Sequence, residues 1–95
     1  MIKTKKGFLL RRLGKEYMVV PVGEASKDFN GMIRLNETGA FYWQELEKGI
    51  TKNELVRNML ERFEGLDEET ACRDLKEFLA IVEVALEFDD DIQHD

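Results

Sequence analysis

The chain has few residues with reactive side chains. It contains a single cysteine (Cys72), a single histidine (His94) and a single serine (Ser26). One cysteine cannot form an intrachain disulfide, which makes a reducing cytoplasm the expected compartment. Cys72 has no histidine near it in sequence, and we expect it to be a buried structural thiol. Because no catalytic triad or metal-ligand spacing can be assembled from these residues, we expect no enzymatic activity, no metal and no cofactor.

Three further features are lacking. No glycine-rich phosphate loop occurs, and no apolar run approaches the ~20 residues of a membrane span. The N-terminus has lysines but no signal-peptide pattern. Positive charge is also scarce: the formal net charge is −6, whereas nucleic-acid binders usually carry a basic excess. This balance predicts no nucleic-acid partner, and favours a basic partner or a neutral one held by backbone contacts.

The first part of the chain predicts strands. Residues 7–13 and 17–22 are rich in apolar and β-branched residues and flank a turn at Gly14, which is typical of a hairpin. Residues 31–35 predict a short third strand, after a polar loop at residues 23–30. Backbone groups on one side of a short edge strand have no partner and can accept a peptide as an added strand.

The rest of the chain predicts three helices. Asn36 caps the first helix, which runs to about Lys48, and Thr51 opens the second with a capping box completed by Glu54. Asp67 caps the third helix, predicted over residues 67–88. Strands followed by helices indicate an α+β fold with one domain over residues 1–88, followed by an acidic disordered tail over residues 89–95.

The third predicted helix has two apolar stripes. One stripe is suited to the core: Ala71, Leu75, Phe78, Leu79, Val82 and Leu86. The second lies roughly opposite: Ala80, Ile81, Val84 and Phe88. It could line a groove for a guest peptide, pack on the chain's own N-terminal hairpin, or form a homodimer, and the pattern alone leaves these alternatives open.

Several segments together resemble the PqqD-like family. The segments on which this resemblance rests are GMIRLNETGAFYW (residues 31–43), GITKNELV (residues 49–56), DLKEFL (residues 74–79) and the N-terminal FLLRRLGKEYMVVP. The resemblance covers roughly residues 7–88. The chain departs from the family pattern at the end of the third predicted helix: many members have a glycine after this helix, followed by an apolar pair, and Ala85-Leu86-Glu87-Phe88 stands there instead.

The resemblance implies a winged helix-turn-helix-like fold of three strands and three helices. It also implies a non-catalytic recognition element for ribosomally made, modified peptides. Such an element binds the leader of a precursor peptide as an added strand and presents it to a modifying enzyme, often a radical S-adenosylmethionine (SAM) protein. The pathway could be that of pyrroloquinoline quinone or another modified peptide. By analogy the peptide-binding residues are Gly31, Met32, Ile33, Arg34, Leu35, Arg73, Lys76, Glu77, Ala80, Ile81 and Val84.

Two other functions fit parts of the sequence. The implied fold is shared with winged-helix DNA-binding regulators, but residues 67–88 carry only two cationic residues against seven acidic ones (Asp67, Glu68, Glu69, Asp74, Glu77, Glu83 and Glu87). A small structural domain that dimerises through the second stripe is the other alternative.

Overall fold

A computed structural model describes residues 1–29 and 31–88. Within these residues the strands are β1 (Ile2–Thr4), β2 (Phe8–Leu13), β3 (Glu16–Pro21), β4 (Ile33–Leu35) and β5 (Leu86–Phe88). The helices are α1 (Ala25–Asp28), α2 (Glu37–Glu47), α3 (Lys52–Arg62) and α4 (Glu68–Val82), and Glu83–Ala85 forms a 3-10 turn. The fold is α+β and winged-helix-like, as predicted. The three predicted strands correspond to β2, β3 and β4.

The main sheet is antiparallel, with strand order β2-β3-β4. Leu13 pairs with Glu16 at the hairpin end, and Gly14 takes a φ of 65° there, which suits the turn. β4 joins β3 through the pairs Tyr17–Leu35, Met18–Arg34 and Val19–Ile33. β4 therefore lies at one edge of this sheet.

The three long helices begin at the predicted caps. The Asn36 side chain accepts a hydrogen bond from the Gly39 amide at 2.7 Å, and Asp67 accepts from the Thr70 amide at 2.8 Å. At α3 both halves of the capping box form: the Glu54 amide donates to Thr51 Oγ1 at 3.1 Å, and the Thr51 amide donates to Glu54 Oε1 at 3.2 Å. Local side-chain chemistry therefore sets these three starts.

The prediction that the third helix continues to residue 88 is wrong. α4 ends at Val82, and after the 3-10 turn Leu86–Phe88 pairs antiparallel with β1. The Lys5 amide donates to the Ala85 carbonyl at 2.8 Å, which helps to hold this end of the chain against the N-terminus. Apolar residues continue at helical spacing through residues 83–88, which is why the sequence predicts a helix there. This spacing cannot indicate that the segment pairs with a strand more than 80 residues away.

The structure differs from the sequence predictions in two smaller respects. The predicted loop at residues 23–30 contains the one-turn helix α1, whose Ala25 sits against the backbone turn at Gly7. Cys72 is exposed, contrary to the prediction of a buried thiol, because its neighbour Ala71 points into the core instead. Consecutive helix positions point about 100° apart, and at this level of α4 the core lies on the side of Ala71.

The core lies between the sheet and the helices. Trp43, Tyr42, Leu46, Leu55 and Met59 are its largest fully buried side chains. α4 contributes the whole predicted core stripe up to Val82, and Leu86 remains buried although it belongs to β5. The core is therefore complete without the second apolar stripe, three of whose members (Ile81, Val84 and Phe88) keep 60%, 40% and 45% of their surface exposed.

Candidate peptide-binding site

The edge strand β4 is the first part of the candidate site. Within the described residues it pairs only with β3, so one row of its backbone donors and acceptors faces away from the sheet. Met32, just before the strand, is 55% exposed. The predicted strand at residues 31–35 is thus confirmed for its last three residues.

The register assigns the side chains of β4 to two faces. Ile33 pairs with Val19, and both belong to the core. Arg34 pairs with Met18, which pairs on its other side with Arg11. Because directly opposed residues share a face, Ile33 points inward and Arg34 points outward. A strand added at this edge would alternate its own side chains between the same two faces.

A groove of about 300 Å³ lies beside β4. Its walls come from the end of β4, the first turns of α2 and the middle of α4. The wall from α4 consists of Asp74, Glu77, Phe78 and Ile81. We call this space the strand-side groove.

Gly39 allows α2 to begin close to the end of β4. A Cβ atom on this glycine would lie 3.3 Å from Leu35 Cβ and 3.3 Å from Asn36 Oδ1. These contacts are tighter than ordinary van der Waals contact, so a larger residue would push the strand end and the helix apart. Gly39 thereby helps to set the width of the groove.

Tyr42 ties the α2 wall of the groove to α4. Its hydroxyl donates to the Ala71 carbonyl at 3.4 Å, and its ring centroid lies 5.1 Å from that of Phe78. Burial raises the pKa of Tyr42 to about 12, and the negative charge of Asp74 adds to the shift. The hydroxyl is therefore protonated and available as a donor at neutral pH.

The groove carries charged side chains that form no ion pair within residues 1–29 and 31–88. Arg34 and Glu77 are exposed and Asp74 is half-buried. None of the three makes an ion pair or a side-chain hydrogen bond with another described residue. The ion pairs among the described residues are Lys27–Glu24 and Lys48–Glu45, and neither pair lines this groove. The α4 wall thus presents two free carboxylates next to the apolar surface of Phe78 and Ile81.

A second groove of about 440 Å³ lies on the other flank of α4, between α4, α3 and β5. Its apolar lining includes Val56, Leu79, Ala80 and Phe88, with two lysines, Lys52 and Lys76, among its polar residues. We call it the helix-side groove. Cys72 also faces it.

The two grooves divide the residues predicted from the sequence. Arg34, Leu35, Glu77 and Ile81 line the strand-side groove, whereas Lys76 and Ala80 line the helix-side groove. Arg73 and Val84 line neither. The residues of the second stripe are therefore divided: Ile81 lines the strand-side groove, Ala80 and Phe88 line the helix-side groove, and Val84 lines neither.

Six members of the strand-side groove are not among the residues predicted from the sequence: Asn36, Thr38, Gly39, Tyr42, Asp74 and Phe78. Asp74, Phe78 and Ile81 are spaced as i, i+4 and i+7, the row that one helix face presents, and this spacing was available in the sequence. Tyr42 had no comparable signal, because its position against α4 depends on how the two helices pack.

A comparison with protein families decides the assignment. The family model for coenzyme PQQ synthesis protein D (PqqD) matches residues 16–83, more than two thirds of the chain. The chain belongs to the PqqD family. The matched range begins in the hairpin and extends past α4, so it contains every element that forms the strand-side groove.

A solved structure shares the fold. The structure of TbiB1 in complex with the TbiA(beta) leader peptide is similar to this PqqD-family chain with a TM-score of 0.69 and 22% sequence identity. The similarity covers 90% of this chain and 94% of that one. No curated protein matches the sequence.

The described part of this PqqD-family chain lacks two further features. Neither residues 1–29 nor residues 31–88 contain a helix of the length and hydropathy needed to cross a membrane. In the same ranges no three histidine, cysteine, aspartate or glutamate side chains come together as a group that could hold a metal ion.

Proposed function

We propose that this chain is a non-catalytic module that captures the leader segment of a ribosomally made precursor peptide as a strand added to β4. The observation that carries the proposal is the position of an open strand edge directly beside a groove walled by α4. Membership of the PqqD family and the fold shared with TbiB1, which was solved with a leader peptide, support it.

The edge strand β4 and the strand-side groove would contribute differently to peptide binding. Backbone hydrogen bonds to β4 supply affinity for an extended peptide whatever its sequence. Every second side chain of that peptide would face the strand-side groove and contact Phe78 and Ile81, so the groove supplies the selectivity. This division needs no side chain with catalytic chemistry.

The captured peptide would then be presented to a modifying enzyme. A peptide in the strand-side groove would leave the helix-side groove, on the other flank of α4, open. A radical SAM enzyme as that partner, a cytoplasmic location and homodimer formation remain predictions from the sequence. So does a single domain over residues 1–88. The predicted disordered tail at residues 89–95 lies outside the described residues.

The direct test is a titration of ¹⁵N-labelled protein with a synthetic leader of the precursor peptide encoded beside this gene. We expect the amide resonances of Met32, Ile33 and Arg34 and of the α4 segment from Asp74 to Ile81 to shift. No residue of α3 lines the strand-side groove, so the amides in the middle of α3 serve as the internal control and should not shift. Unmoved resonances in β4 would contradict the proposal.

A second measurement tests strand addition itself. Single backbone N-methyl groups are placed at successive positions of the peptide. Because only alternate amides of an added strand point toward its neighbour, every second methyl group should weaken binding strongly. A helix-like or irregular dependence on position would exclude an added strand.

A further inference from the structure

The strand-side groove has a charge pattern that selects among extended peptides. Asp74 and Glu77 lie three positions apart on α4, so they are neighbours on the same face of the helix. Phe78 and Ile81 continue the same wall with apolar surface. One end of this wall therefore favours a cation and the other favours an apolar side chain.

Among the described residues, no cation forms an ion pair with these two carboxylates. Arg73 and Lys76 are exposed on α4, but neither lines the groove nor forms an ion pair with Asp74 or Glu77. Arg34 lies across the groove on β4 and is also without an ion pair among the described residues. A guest side chain could supply the missing positive charge.

From this geometry we propose that the guest strand carries a lysine or arginine that faces Asp74 and Glu77, two positions from an apolar residue that packs on Phe78 and Ile81. The spacing follows from strand geometry, because alternate residues of an added strand face the same wall and i+2 is the nearest neighbour of residue i on that face. This inference rests on the proposed peptide-binding function, and it specifies which peptides that function accepts.

The expected effect is moderate because the carboxylates are partly solvated. Ion pairs at exposed positions change an equilibrium by up to about five-fold. Two carboxylates around one cation therefore predict a preference of up to about twenty-fold for a basic over an uncharged residue at that position. The preference should shrink as salt is added, because salt screens exposed charges.

The probe is a random peptide library displayed on phage and selected on the intact protein. We expect enriched peptides to carry lysine or arginine two positions from an apolar residue. The selection is repeated on the double variant Asp74→Asn/Glu77→Gln, which keeps the shape of both side chains. That variant should lose the basic preference and keep the apolar one.

Two further variants sharpen the test. Glu83→Gln removes one negative charge at the helix-side groove, and its selected peptides should match those of the unmodified protein. Glu77→Lys reverses one charge at the strand-side groove and should enrich acidic residues at the position where the basic residue stood. Circular dichroism confirms that each variant is folded.

The outcomes separate the two proposals. If selected peptides shift the amides of β4 but show no basic preference, or keep it in the double variant, the charge inference is wrong and the proposed function stands. If no selected peptide shifts the β4 amides, both proposals are wrong.

Discussion

Truncation of Ile81 tests the assignment of the guest peptide to the strand-side groove. Ile81 is on α4 and is 60% exposed in the free protein. Complete burial of such a side chain contributes about 1.5–3 kcal/mol, so a guest that covers the exposed part gains about 1–2 kcal/mol. Ile81→Ala should remove most of that gain and weaken binding by about five- to fifteen-fold.

Val84 provides the matched control. It is also an exposed β-branched residue of the second stripe, at 40%, but it lies on the 3-10 turn and lines neither groove. Val84→Ala should therefore leave the dissociation constant of the peptide nearly unchanged. Because both side chains are exposed, neither substitution should alter the free energy of unfolding by more than about 0.5 kcal/mol.

The measurement is fluorescence anisotropy of a labelled leader peptide titrated with each variant. Equal weakening by the two substitutions would refute the division of the second stripe, and would restore the single continuous face expected from the sequence. An unchanged dissociation constant for Ile81→Ala would exclude the groove wall of α4 as a peptide contact.

Four predictions concern the fold and its pH dependence. The pKa of Tyr42 is near 10 in the unfolded chain and about 12 in the folded chain. The free energy of unfolding, measured with urea, should therefore fall as the pH rises from 10 to about 12, and Tyr42→Phe should remove this fall. The same ionisation, followed by ultraviolet absorbance, should occur at lower pH in Asp74→Asn, and an unchanged pKa would argue against the charge contact. The hydrogen bond from the Thr70 amide lowers the pKa of Asp67 from its ordinary value of 3.8. Ionised Asp67 therefore stabilises the fold above pH 3.8, and this stabilisation is lost as the pH falls further. Asp67→Asn should make the free energy of unfolding less dependent on pH in this acidic range. Gly7→Ala should destabilise the protein by at least about 1 kcal/mol more than Gly14→Ala in thermal unfolding. Both glycines have positive φ, but only a Cβ at Gly7 meets another atom, Ala25 Cβ at 2.8 Å; equal losses would contradict this account.

Local chemistry made much of the fold predictable. The caps at Asn36, Thr51 and Asp67 act within one helical turn, so the residues that form them are visible in the sequence. The hairpin likewise depends on two adjacent strands and one glycine turn. The core stripe of α4 was predictable because burial of one helix face follows the helical period.

The site was predictable only in part. The sequence identified β4 and Ile81 as candidates. A short strand, and an apolar residue outside the core stripe of a helix, can both be recognised from the order of residues alone. It could not show that Ala80 and Ile81, adjacent in the chain, line different grooves. That division depends on which neighbours pack along each flank of α4.

The amino-acid sequence by itself determined the order of the elements, the helix starts, the face of α4 that enters the core and the resemblance to the PqqD-like family. Tertiary structure alone decided where α4 ends, since Leu86–Phe88 becomes a strand through its pairing with Ile2–Thr4. It also decided that Tyr42, Asp74 and Phe78 share a groove with the edge strand β4. The physical reason is the range of the interactions: capping and helical periodicity act between near neighbours, whereas strand pairing and groove walls join residues that are far apart in the chain.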